Sequence, residues 1–147
     1  MGYYVNSTDV NVTIPLSKEA DALSAMKRLN DPEFDNLKGG SSTTFLEDGT
    51  KISKRYYSWM PEDFSTFTSL IGFLEEVGFQ DTQVVGDYIE LGYYDHKSGQ
   101  EDVFLRTLAP FVTTGGYIEW RGEDGELYRW DFDGEKMIER TATIVWK

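Results

Sequence analysis

Apolar positions along the chain fall into two periods, and the switches between them mark the elements. Val10, Val12 and Ile14 alternate with polar residues, the two-residue period of a half-buried strand, and Pro15 ends it. Ala22, Met26 and Leu29 then recur at three- and four-residue spacing, so a helix is expected over residues 18–30 with Ser17 as its cap. Residues 31–50 lose both periods. Asp31-Pro32, Gly39-Gly40, a Ser/Thr cluster and Asp48-Gly49 mark them as a flexible loop. Residues 54–60 are rich in aromatics and read as a strand stopped by Pro61. A second helix is expected from Phe64, with Phe67, Leu70, Ile71, Leu74 and Val77 as its apolar stripe. Gly78 followed by Phe79 suits a left-handed helix end with a hydrophobic residue just beyond it.

The second half repeats this grammar. TQVV and YIELGYY are joined at Gly86-Asp87, a hairpin turn. A third helix is expected over residues 100–109, with Phe104, Leu108 and Phe111 inward and Pro110 ending it. Three strand-like runs follow, over 117–121, 126–132 and 136–146, separated by Asp124-Gly125 and Asp133-Gly134. In the middle run Tyr128, Trp130 and Phe132 share one face, and Leu127, Arg129 and Asp131 the other. In the last run Ile144 and Trp146 share a face, and these large rings read as core. Helices mixed with antiparallel hairpins define an α+β fold: a single domain over 1–147, mostly antiparallel sheet, about three helices and a C-terminal three-stranded meander.

An internal echo runs through that half. GDYIELGYYD (86–95) and GGYIEWRGED (115–124) align without gaps, and each follows a helical segment that begins with Phe-Leu. The chain thus carries a weak helix–strand repeat, 73–95 and 104–124. On this pattern Tyr88 and Glu90, and likewise Tyr117 and Glu119, project to one sheet face. Two strands built to one binary pattern are the simpler account, and a paired Tyr/Glu surface for a partner the sharper one.

Composition narrows the chemistry. A chain of 147 residues without cysteine has no disulfide framework, no cysteine metal site and no thiol nucleophile. Its one histidine, His96, lies in an apparent loop, and no Gly-x-Ser-x-Gly elbow is present to expose a serine beside it. Carboxylate pairs such as Glu75/Glu76, Glu101/Asp102 and Asp131/Asp133 are what 26 acidic residues produce by chance. Asp131-Phe132-Asp133-Gly134 falls short of a calcium loop, and Lys38-Gly39-Gly40 short of a phosphate loop. No catalytic residue, cofactor or metal is therefore expected. The start of the chain lacks a basic region followed by an apolar one, and no apolar run approaches a membrane span, so a cytoplasmic protein without a membrane partner is expected.

Charge then supplies direction. The net charge is −12, which opposes direct binding to nucleic acid. Residues 1–74 carry 10 acidic and 7 basic side chains, and residues 75–147 carry 16 and 7. Most of the excess thus falls on the echoed units and the hairpin tips, where Glu123, Asp124 and Glu126 crowd one turn and Asp133 stands at the next.

MGYYVNSTDVNVTIP, Leu37-Lys38-Gly39-Gly40, Tyr57-Ser58-Trp59, SGQEDVFLRTLAPFVTTGGYIEWRGEDGELYRW and the final IVW together resemble a family of small, acidic, largely uncharacterised proteins of bacteriophages and actinobacterial genomes. YIEWRGEDGE is the most specific part. The resemblance implies a phage or mobile-element setting and carries over no catalytic residues. The expected function is a non-enzymatic binding or inhibitor protein. It would set an acidic face, built from Tyr88, Glu90, Tyr117, Glu119, Glu123, Asp124, Glu126 and Asp133, against the basic surface of a host protein, such as a nucleic-acid-binding defence component. Two alternatives stand beside it: a small-ligand or nucleotide pocket lined by Tyr56, Tyr57, Trp59, Trp120 and Trp130, and a structural homo-oligomer.

Overall fold

The structure, a computed structural model, describes residues 2–147. The chain opens with strand β1 (Tyr4–Asn11) and, after Val12, β2 (Thr13–Pro15). A 3-10 turn over Leu16–Lys18 leads into helix α1 (Glu19–Arg28). Ala22 and Met26 are buried on the expected face, with Leu29 just beyond the helix. Ser17 does not cap this helix, because the 3-10 turn absorbs it. Lys18 holds the cap position without a side-chain bond, and Glu19 and Asp21 supply negative charge to the first turn.

Residues 31–50 are not one loop. A 3-10 helix covers Pro32–Leu37, and β3 (Gly40–Phe45) pairs with β4 (Lys51–Tyr56) in a two-stranded hairpin. Thr43, Thr44 and Phe45 are good strand formers once a partner strand lies opposite, and Asp48-Gly49, with Gly49 at φ 87°, makes the turn. The strand expected over 54–60 is accordingly displaced toward the N-terminus. Tyr57 falls outside it and turns into the core, where its hydroxyl donates to Leu29 O at 2.9 Å.

Helix α2 (Leu70–Val77) begins where Ser69 Oγ accepts from Gly72 N, and ends at Gly78 with φ 134°. Phe79 follows, fully buried, in β5 (Phe79–Gln80). The hairpin of β6 (Gln83–Val85) and β7 (Tyr88–Glu90) turns at Gly86 as expected. YIELGYY is not one strand, however. It breaks at Leu91-Gly92, and β8 (Tyr93–Lys97) joins a different sheet from β7. The break has a steric cause: a Cβ on Gly92 would lie 1.6 Å from Gln80 O, so two backbones cross there and the chain changes direction. Helix α3 (Glu101–Leu108) buries Phe104, Leu105 and Leu108.

The meander forms as β9 (Tyr117–Gly122), β10 (Leu127–Phe132) and β11 (Met137–Thr141). The last strand is shorter than its sequence pattern. Pairing stops at Thr141, and Ile144 and Trp146 are 71% and 91% exposed rather than core. β1 pairs antiparallel with both β8 and β9, giving one six-stranded sheet of order β11-β10-β9-β1-β8-β5; β2, β7 and β6 form a smaller sheet. One face of the large sheet, with Val5, Ile118, Trp120, Trp130 and Phe132, joins α1, α2 and α3 in a single core. Tyr57, Phe64, Phe73 and Phe104 form its aromatic centre, with ring centroids 4.9–6.3 Å apart. The protein is thus a single α+β domain.

Candidate functional site

The two Tyr-x-Glu pairs do not share a sheet. Tyr88 and Glu90 lie exposed on β7 in the small sheet, whereas Tyr117 and Glu119 lie on β9 in the large one. The second pair is also engaged locally. Tyr117 Oη donates to Asp9 Oδ2 at 3.0 Å, and that carboxylate raises the Tyr117 pKa. Arg129 Nη1 donates to Glu119 Oε1 at 3.1 Å while its guanidinium sits 4.1 Å over the Tyr117 ring. The echo is thus a shared binary pattern placed in two surroundings.

The turn residues do come together, with one exception. Glu123, Asp124 and Glu126 cluster at the β9–β10 turn, held against the first strand. Glu123 Oε1 accepts from Tyr4 N at 3.1 Å, and Tyr3 Oη donates to Glu126 Oε1, a bond that raises the Tyr3 pKa. Gly122 has no room for a Cβ beside Glu126 Oε1 and the Tyr3 hydroxyl, so the tip packs closely on its own base. Asp133 stands just past the other end of β10, six residue steps or roughly 20 Å from Leu127. It accepts from Glu135 N and Lys136 N at 2.9 and 2.8 Å, which closes the β10–β11 turn and holds its carboxyl below the usual range.

Beside the acidic tip opens a cleft of about 900 Å³ between the start of α3, strands β10 and β11, and residues 142–144. Tyr128 and Trp130 give it an aromatic wall. Four carboxylates line it, Glu101, Asp102, Glu126 and Glu139, against one guanidinium, Arg140. Two of the four are committed to structure. Glu101 is buried and accepts from Ser98 Oγ and Gly99 N at 2.6 Å each, which fixes the start of α3; Glu139 Oε1 accepts from Arg106 Nη2 at 3.0 Å. Arg140 is drawn away to Asp131 at 2.6 Å. Asp102, which makes no ion pair or side-chain hydrogen bond among the described residues, and Glu126, held by Tyr3, supply the remaining negative charge of the cleft. Burial pushes the Tyr128 hydroxyl pKa up, and the nearby charges of Glu101 and Glu126 push it further, so it stays a neutral donor.

The sequence singled out Glu126 here, and Trp130 for the alternative ligand pocket, but not Glu139 or Tyr128. Their convergence depends on α3 crossing the end of the meander. Ser98 and Glu101 have the capping-box spacing, but the helix starts at Glu101 itself with Gln100 at the cap, so their bond braces the turn before α3. The five rings Tyr56, Tyr57, Trp59, Trp120 and Trp130 do not line one pocket. Tyr57 is in the core, Trp59 packs on His96 at 4.3 Å, and Trp120 and Trp130 pack on each other at 4.7 Å. Among the described residues no group of three His, Asp or Glu could hold a metal ion, and no helix is long and apolar enough to cross a membrane.

Fold and site together define an α+β protein with an open, carboxylate-rimmed aromatic cleft. Comparison of the chain with protein-family models, with curated proteins and with solved structures finds no match.

Proposed function

We propose that the chain is a non-enzymatic binding protein that uses its acidic β9–β10 tip and the adjoining cleft to occupy a basic surface of a protein partner. In the setting its sequence resemblance implies, that partner is a host protein, and a nucleic-acid-binding defence component is the class with the required basic groove. The observation that carries the proposal is the convergence of Glu123, Asp124 and Glu126 beside a cleft that adds Asp102 to the aromatic rings of Tyr128 and Trp130. Carboxylates at the rim and aromatic faces within suit arginine and lysine side chains, which pair with the first and lie over the second. Asp133, Tyr88 and Glu90 lie outside this surface, so they fall outside the proposed contact.

Charge location separates this from attraction to any acidic protein. Reversing Glu123, Asp124 and Glu126 to lysine should abolish capture of a partner from host lysate, while reversing Glu33, Glu75 and Glu76 should leave it in place. Capture by the parent should weaken as salt rises. Equal loss in the two triple variants, with both folded by circular dichroism, would refute the proposal. The cleft's volume, within the range of small-molecule sites, favours a second reading as a ligand-binding protein. A captured small molecule that survives protein removal and depends on Trp130 would favour that reading.

A further inference from the structure

β11 ends the six-stranded sheet, and among the described residues no strand pairs with its outer side. The bonds it does make determine which backbone groups face outward. Asp133 N donates to Lys136 O and Ala142 N donates to Leu127 O, both at 3.2 Å. Hydrogen-bonded pairs alternate along an antiparallel ladder. Lys136, Ile138, Arg140 and Ala142 therefore direct their backbone groups to β10. Met137, Glu139 and Thr141 direct theirs to the open edge.

Apart from the exposed Lys136 at its start, the usual protections are absent from this edge. No proline interrupts residues 136–147. The charges on β11 do not guard it either, since Arg140 is held to Asp131 and Glu139 to Arg106 along the sheet. Just beyond, Ile144 and Val145 are each 71% exposed and Trp146 is 91% exposed. The sequence pattern of one long strand, 136–146, is thus half satisfied.

We propose that this edge and residues 142–147 pair with the same edge of a second copy of the chain, antiparallel about a two-fold axis at Thr141. Residues 142–147 straighten into strand as they pair. The register follows from the side chains. Outward-facing residues must oppose outward-facing ones, and an axis at Thr141 sets Ile138 opposite Ile144, Lys136 opposite Trp146, and Glu135 opposite Lys147 of the second copy. Met137 falls opposite Val145. Moving the axis to Arg140 would oppose two guanidiniums, and moving it to Ala142 would set Ile144 against Arg140, both unfavourable cross-strand pairs. Because the edge complements itself in apolar surface, charge and backbone bonds, the occupant is a second copy rather than an unrelated strand.

The chain has no cysteine, so a single thiol can report the register. In a hydrogen-bonded antiparallel pair the Cα atoms lie about 5.5 Å apart, within disulfide reach. Thr141→Cys should therefore oxidise to a covalent dimer, and Thr143→Cys, whose counterpart would lie four residues away along the partner strand, should not. Sedimentation velocity of the unmodified protein should show a monomer–dimer equilibrium. Ile144→Lys, at an exposed position, should weaken dimerisation about tenfold or more, the scale on which losing an apolar cross-strand contact and gaining a charge acts. A monomer at every concentration, a dimer indifferent to Ile144→Lys, or equal cross-linking from the two cysteine variants would overturn the proposal.

Discussion

Phe104 shows how one side chain ties α3 to the rest of the core. Its ring lies 4.9 Å from Tyr57, 5.5 Å from Phe73 and 6.3 Å from Phe64, and it is 2% exposed. Truncation would leave a cavity bounded by rings that are themselves packed, so little collapse is available. Phe104→Ala should cost about 3–5 kcal/mol in chemical denaturation, whereas Phe104→Leu should cost less. Because α3 also carries Glu101 and Asp102 to the cleft, the alanine variant should loosen the cleft before the β9–β10 tip.

Asp133 works by charge instead. Two backbone N–H groups, of Lys136 and Glu135, hold its carboxyl below the usual range, and Asp131 is shifted the same way, the pull of Arg129 and Arg140 outweighing burial. A depressed folded-state pKa stabilises the fold above the unfolded value of about 3.9, and the contribution fades as pH falls through the folded value. Asp133→Ala should therefore be less stable than the parent near pH 7. The charge-dependent part of that difference should shrink as pH falls below the unfolded value and be lost once the folded carboxyl is protonated, in paired urea titrations at neutral and strongly acid pH. A gap unchanged between the two pH values would show that the turn depends on geometry alone.

At the scale of elements, legibility in the sequence tracks how local the cause is. The glycine end of α2 and the two Asp-Gly turns rest on contacts within a few residues and fold as read. Helix α2 itself starts at Leu70 rather than Phe64, because Ser69 caps it and Phe64–Thr66 form a separate 3-10 turn. Three features depended on distant atoms. The break at Gly92 needs Gln80 O, the inward turn of Tyr57 needs Leu29 O, and the cleft needs α3 across β10. The acidic tip was legible from Glu123, Asp124 and Glu126; its separation from Asp133 was not, since strand direction must be known first. The β3–β4 hairpin is the sharpest difference. Every residue from Ser41 to Arg55 is exposed, so its strands are paired to each other with almost no core beneath. A two-stranded hairpin without a covering layer is marginal in water. Its amides should exchange with deuterium orders of magnitude faster than those of β9 and β10, and equal protection would mean that something covers it.

Over the whole molecule, 26 acidic groups against 14 basic ones set a standing repulsion that no single bond reveals. Several basic groups are consumed in local ties. Lys38, 4% exposed, donates to Asp35 Oδ1 at 2.7 Å and Asn30 O at 2.9 Å, and Arg129 lies between Glu119 and Asp131. The tip and the cleft carry part of the remaining excess, and the rest is spread over other exposed carboxylates such as Glu75, Glu76, Asp87 and Glu90. Self-repulsion of this kind opposes the compact state, and added salt screens it over about 8 Å at physiological ionic strength. The same salt that weakens capture of a basic partner should therefore strengthen the fold. Raising sodium chloride from about 10 to about 150 mM should raise the melting temperature, because the screening length shrinks from about 30 Å to about 8 Å, below the dimensions of the domain. The tip variant with Glu123, Asp124 and Glu126 changed to lysine should show a smaller rise, since its net charge is halved. A melting temperature that falls with salt in the parent would mean that the ion pairs around Arg129 and Asp131 outweigh the excess negative charge in holding the sheet.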